Sequence, residues 1–110
     1  MRTPNADFAR VDRKKLESYL LSSTHPIGRS KARFFQAQGF DESNLGLLED
    51  TLLDLVRTQE IAAVVSSPYG TKYIVDGLLA TPSGSQVKLR TIWIVETGEE
   101  GPRLVTAYPF

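Results

Sequence analysis

Between Asp12 and Gln59 the apolar residues recur at helical spacing, and from Ile61 onward they follow the pattern of strands. Leu16, Tyr19 and Leu20 fall at i, i+3 and i+4 behind Asp12, a residue type that caps helix N-termini, so the spacing predicts a short amphipathic helix over residues 13–22. Thr24, His25, Pro26 and Gly28 then read as a turn. Ser30 can cap a second helix over residues 30–38, which carries Lys31, Arg33, Phe34 and Phe35, and Gly39 stands where a glycine stops a helix. The longest helix is expected over residues 43–59. Leu45, Leu48, Leu52, Leu55 and Val56 form its apolar stripe, with Glu49, Asp50 and Asp54 off it.

Four runs rich in β-branched and aromatic residues follow, over residues 61–66, 71–80, 86–96 and 103–108. The connections, Ser-Pro-Tyr-Gly, Thr-Pro-Ser-Gly-Ser and Thr-Gly-Glu-Glu-Gly-Pro, are short and hold the Gly or Pro that tight reversals use. Short connections favour antiparallel neighbours. The expected architecture is therefore α+β: one domain over residues 1–110, with three N-terminal helices packed on one face of a four-stranded antiparallel meander. Strand alternation separates Lys88 and Arg90 from Thr91 and Trp93. If Trp93 pairs with Thr106, then Thr91 lies opposite Tyr108, and Thr91, Trp93, Thr106 and Tyr108 share a face. One residue of slip would bring Arg90 to the side of Thr106 instead.

With 110 residues, 41% of them hydrophobic, the chain can bury a core without staples. It has no cysteine, which excludes disulfides, thiolate metal sites and cysteine nucleophiles. Its apolar runs are far shorter than the roughly 20 residues of a membrane span, and its N-terminal stretch has no secretory apolar core. A soluble cytoplasmic protein, or the detached end of a larger exported one, is expected. The net charge of zero hides an uneven distribution. Residues 1–40 carry eight Lys or Arg against three Asp or Glu, whereas residues 41–60 carry one Arg against six acids. A basic face attracts polyanions whatever the total, while the same charges can equally be solvated helix faces.

Candidate chemistry concentrates in the turn from His25 to Lys31. Arg29 and Lys31 stand at the beginning of a helix, where cations meet the partial positive charge of free backbone N–H groups. A bound phosphate would turn that cost into attraction. His25 is the single histidine, and so the one imidazole able to move protons near neutral pH. There is no phosphate-binding P-loop, dinucleotide fingerprint, HExxH or GxSxG motif, and neither a metal nor a cofactor is expected.

The run from Leu20 to Phe35 that contains His25-Pro26-Ile27-Gly28 and Lys31-Ala32, the pairs Gly39-Phe40 and Tyr69-Gly70, and the ending Arg103-Leu104-Val105-Thr106-Ala107-Tyr108-Pro109 resemble a family of small bacterial proteins. The pattern is similar to that of toxin tips from contact-dependent and polymorphic systems, which resemble the barnase, EndoU, colicin and RelE superfamily of metal-independent ribonucleases. The resemblance spans residues 16–109. It implies helices packed on an antiparallel sheet with RNA across the exposed face, cleavage by attack of the ribose 2′-hydroxyl, and neutralisation by a cognate antitoxin or immunity protein. It also implies roles. His25 would be general base or acid, Lys31 would stabilise the phosphate, Thr106 with Tyr108 or Thr91 would donate hydrogen bonds, and Arg90 would be a second substrate-binding cation if the register allows; Arg29, read from the turn itself, would bind substrate beside Lys31. With one histidine, the second proton carrier would be Tyr108, Lys31 or Glu96. The alternative is a noncatalytic protein-interaction module that uses the acidic third helix or the sheet edge; whether the chain forms homo-oligomers is left open.

Overall fold

The computed structural model describes residues 1–17 and 29–110. Helix α1 spans Arg13–Lys15, α2 spans Arg29–Ala37 and α3 spans Leu45–Thr58; strands β1 to β4 span Ile61–Ser67, Gly70–Ala80, Gln86–Glu96 and Arg103–Pro109. They form an α+β fold whose single sheet has the order β1-β2-β3-β4, antiparallel throughout. Among the described residues two helices of substance cover it rather than three. The Asp12 side chain accepts the Lys14 N–H and starts α1 as expected, but only one turn falls within the described residues, and positions 18–22 of that expectation lie outside them.

Each remaining boundary has a local cause. Gly39 adopts φ +97° after α2, a left-handed conformation that glycine reaches without a Cβ penalty. Asp41 accepts from Ser43 N while Asn44 returns a bond to Asp41 N, a capping box that leads the chain into α3. Strands β1 and β2 turn through two residues, Pro68 and Tyr69, with Ser67 paired to Gly70. Between β2 and β3, Thr81 holds a loop closed through its Oγ1 bond to Ser85 O at 2.9 Å.

The core lies between the helices and one sheet face. Leu48, Leu52, Leu55 and Val56 of α3 and Ala32 and Phe35 of α2 meet Val75, Leu79, Leu89, Trp93, Leu104 and Ala107 from the sheet, all buried. Each fully buried large side chain contributes roughly 1.5–3 kcal/mol, so this one layer supplies the main drive to fold. Helix α3 crosses β2 closely because Gly77 has no side chain: a Cβ there would stand 3.0 Å from Gln59 Cγ and 3.2 Å from Leu55 Cγ. The N-terminal segment ties the layers together. Arg10 bridges in parallel to Arg103 at the start of β4, and Arg2 bridges to Glu60 just before β1. Among the described residues no helix is long and apolar enough to cross a membrane.

Candidate functional site

No described helix packs on the second sheet face, and register alone sorts its side chains into rows. Asp76, Arg90 and Tyr108 stand opposite one another on β2, β3 and β4; Ile74, Ile92 and Thr106 form the next row, and Lys72, Ile94 and Arg103 the one after. At the other end Leu78 pairs with Lys88, and Phe110 follows the end of β4. The pattern is cation-rich at both ends and apolar in the middle.

Arg90 is the most constrained of the cations. Its Nε and Nη2 donate to Asp76 Oδ1 and Oδ2, each at 2.9 Å, a two-pronged contact that fixes the guanidinium plane. Its Cζ lies 5.0 Å from the centroid of the Phe110 ring, within cation–π range. Hydrogen bonding to Asp76 pushes its pKa above the ordinary arginine value, and the Tyr108 hydroxyl acts in the same direction, so Arg90 stays cationic at any working pH. Three of its five N–H donors remain after the Asp76 contact. Arg103 donates from Nη2 to Glu96 Oε1 at the far end. Among the described residues neither Lys72 nor Lys88 has a carboxylate partner. Thr106 Oγ1 is buried and has no hydrogen-bond partner among them either.

Asp76 and Glu96 on this face are held by Arg90 and Arg103, while the acids of α3 lie on the other side of the molecule. Asp50 and Asp54 are exposed on α3, which lies over β2 on the covered face, and Glu49 there is bound by Arg13 at 3.3 Å. An anion approaching the open face therefore meets Arg90, Lys72, Lys88 and Arg103 without passing the acidic helix.

The expected grouping is corrected in one respect that matters. Thr106 does not pair with Trp93: it stands opposite Ile92, while Trp93 faces Leu104, because the register shifts between Ile92 and Trp93 and leaves Val105 as the extra residue of a β-bulge. Residues beyond the bulge are displaced by one, which moves Arg90 to the face of Thr106 and Tyr108 and turns Thr91 away from them. Thr91 is fully buried among core side chains, donates to Val75 O at 2.7 Å and accepts from Trp93 Nε1 at 2.8 Å. Its hydroxyl is spent on the core and reaches no substrate on the open face. His25 lies outside the described residues; Arg29 and Lys31 belong to the first turn of α2, and their side chains lie outside them as well. The described geometry thus brings together Arg90, Thr106 and Tyr108, and leaves His25, Arg29 and Lys31 without a position relative to them.

Asp76, Lys72 and Arg103 are outside the expected site, and Glu96, expected there only as a proton carrier, is bound by Arg103. The signal for Asp76 was present, since closing the Thr81–Ser85 loop with Ala80 opposite Gln86 sets Asp76 against Arg90. Among the described residues no group of three or more His, Cys, Asp or Glu is arranged to hold a metal ion.

A family model described as Domain of unknown function (DUF6883) matches residues 2–110, nearly the whole chain. The chain belongs to the DUF6883 family. This DUF6883 chain is similar in fold to a solved structure described as a contact-dependent growth inhibition toxin–immunity protein complex from Klebsiella pneumoniae 342. The TM-score is 0.74 at 20% sequence identity, over 96% of each chain. No curated protein matches the DUF6883 chain.

Proposed function

We propose that this protein is a small toxin-type endoribonuclease that cuts RNA without a metal ion and is held in check by a cognate immunity protein. The observation that carries the reading is the open sheet face, where Arg90 and Tyr108 stand in one row and Thr106 in the next, with Lys72 and Arg103 beyond, opposite the acidic helix. The fold shared with a chain of a toxin–immunity complex supports a place in a toxin system. In the proposed reaction a base takes the proton of a ribose 2′-hydroxyl, the 2′-oxygen bonds to the adjacent phosphorus, and the bond to the 5′-oxygen breaks. An acid protonates that oxygen, and the products are a 2′,3′-cyclic phosphate and a 5′-hydroxyl end.

Arg90, fixed by Asp76 and always charged, acts on the phosphate as negative charge builds in the phosphorane, the kind of prearranged cation that lowers such barriers most. Tyr108 supplies a hydroxyl donor beside it, and the Thr106 hydroxyl lies buried in the next row without a partner among the described residues. The proton carriers of this reading are His25 and Tyr108, with Lys31 as the second cation, brought from the segment that leads into α2.

The test is cleavage of a labelled RNA in EDTA. Arg90→Lys and Tyr108→Phe are expected to slow cleavage by about 10²- to 10³-fold, and His25→Ala by about 10²- to 10⁴-fold, with circular dichroism unchanged. RNA left intact by stoichiometric wild-type protein defeats the proposal, as does full activity in the His25→Ala, Lys31→Ala double variant. A second reading, a noncatalytic interaction module, is favoured by β1. This edge strand carries no charge, and Val64 and Val65 are about half exposed (48% and 49%). It predicts an intact RNA together with a stable complex in which β1 amides become protected from exchange.

A further inference from the structure

The outer edge of β2 is only partly covered. Strand β1 begins at Ile61, opposite Val75, so β2 from Asp76 to Ala80 has no strand beside it. A cavity of about 340 Å³ opens there, lined by Gln59, Asp76, Gly77, Leu78, Lys88 and Phe110. Its size lies at the lower end of the range for small-ligand sites, roughly 300–1,000 Å³.

The lining has an unusual division of labour. Leu78 and Phe110 are large apolar side chains exposed by 60% and 55%, an arrangement that costs free energy in water unless something covers them. Lys88, a cation with no carboxylate partner among the described residues, stands opposite Leu78. Arg90 lies over the Phe110 ring with its remaining donors free of Asp76. Gln59 brings an amide able to donate and to accept. An aliphatic peptide side chain would cover Leu78 and Phe110 but bring nothing for Lys88 and Arg90. A flat aromatic group attached to a phosphate satisfies all of them at once.

We propose that this cavity is a nucleobase subsite: the base of a ribonucleotide stacks on Phe110 and Leu78, its edge meets the Gln59 amide, and its phosphate lies against Arg90 and Lys88. The proposal rests on the ribonuclease reading in taking RNA as the source of the base, and it adds that the chain grips a base beside the phosphate it attacks. Stacking of a base on an aromatic side chain is worth about 1–3 kcal/mol by alanine substitution, a factor of roughly 5 to 150 in affinity.

The probes are adenosine 3′-monophosphate, uridine 3′-monophosphate and, as a base-free control, ribose 5-phosphate, each titrated into ¹⁵N-labelled protein and followed by amide shifts. RNA cleavage is measured on the same preparations. The nucleotides are expected to shift the amides of Gly77, Leu78 and Phe110, and Phe110→Ala to weaken them by about 5- to 150-fold while leaving the weaker ribose 5-phosphate unchanged. Phe110→Tyr should restore binding, and Phe110 is exposed enough that its truncation spares the core. Ribose 5-phosphate binding as tightly as the nucleotides, or nucleotide affinity unchanged in Phe110→Ala, overturns the subsite even if RNA is still cut. Base binding at Phe110 without cleavage upholds the subsite and defeats the ribonuclease reading; neither binding nor cleavage defeats both.

Discussion

Replacing Thr91 by Val separates a core role from a ligand role more sharply than any other single change. The two side chains have nearly the same shape, so the substitution leaves no cavity and removes only the hydroxyl. In the wild type that hydroxyl donates to Val75 O at 2.7 Å and accepts the Trp93 indole N–H at 2.8 Å, with both Thr91 and Trp93 fully buried. After substitution the indole N–H has lost its acceptor in a dry environment, at a cost of about 1–3 kcal/mol, and Val75 O has lost one of its donors. The added methyl returns at most about 0.8 kcal/mol of burial. The net expectation is a loss of roughly 2 kcal/mol. With an unfolding entropy of about 2.1 cal/mol/K per residue, a chain of 110 residues then melts roughly 9 °C lower. Thr91→Ser keeps both hydrogen bonds, gives up only a methyl group and should lose about half as much. The assay is urea unfolding followed by Trp93 fluorescence, beside RNA cleavage on the same samples. Stability within about 0.5 kcal/mol of wild type for Thr91→Val, coupled with loss of activity, would refute the inward placement of Thr91 and restore it as a substrate contact.

Gly101→Ala would set a Cβ 2.5 Å from Phe8 O and 2.7 Å from Phe8 C, so the N-terminal segment must move off the β3–β4 connection. Amide exchange of Arg10 and Leu104, which bond Pro102 O and Arg10 O, should accelerate by at least tenfold while the buried amides of β3 keep their protection. Asp41 has its pKa held below the ordinary 3.8, first by the Ser43 hydroxyl and then by the Ser43 amide. A depressed folded pKa stabilises above the unfolded value and is lost as pH falls through the folded one, so urea midpoints should drop below about pH 3.8, and Asp41→Asn should flatten that fall. Val64→Lys puts a charge on the open β1 edge and should slow aggregation during heating severalfold without changing the unfolding midpoint; an unaltered rate would exonerate that edge.

The elements were legible in the sequence where one physical signal dominated. In α3 the stripe Leu48, Leu52, Leu55 and Val56 is the buried stripe, and the observed limits, Leu45 to Thr58, lie within two residues of the expected ones. The strands end where their Gly and Pro connections begin, and all four begin within a residue of expectation. The first helix rests on three apolar positions and one cap; the cap holds, as Asp12 accepts from Lys14, and positions 18–22 of that expectation lie outside the described residues.

The site was legible in its residue types and illegible in its geometry, for a reason confined to one position. Turn chemistry predicts that β3 and β4 pair, but the β-bulge at Val105 decides which side of the sheet each later residue of β4 faces. Leu104 and Ala107, both buried and three apart, are the trace it leaves, since an unbroken strand buries residues at even spacing. A reading that weighs that spacing assigns Thr106 and Tyr108 to the side of Arg90 from the outset, and sends Thr91 inward with Trp93. The same bulge explains why the open face can be polar at all. Without it, the hydroxyls of Thr106 and Tyr108 would point into the layer of Phe35 and Leu52 and leave Ala107 in water. The extra residue therefore reconciles an apolar core with a row of functional groups on one short strand. Deleting Val105 would force a choice between the two: either the strand unpairs beyond Leu104, or the protein folds with Tyr108 turned inward and the Arg90 row broken.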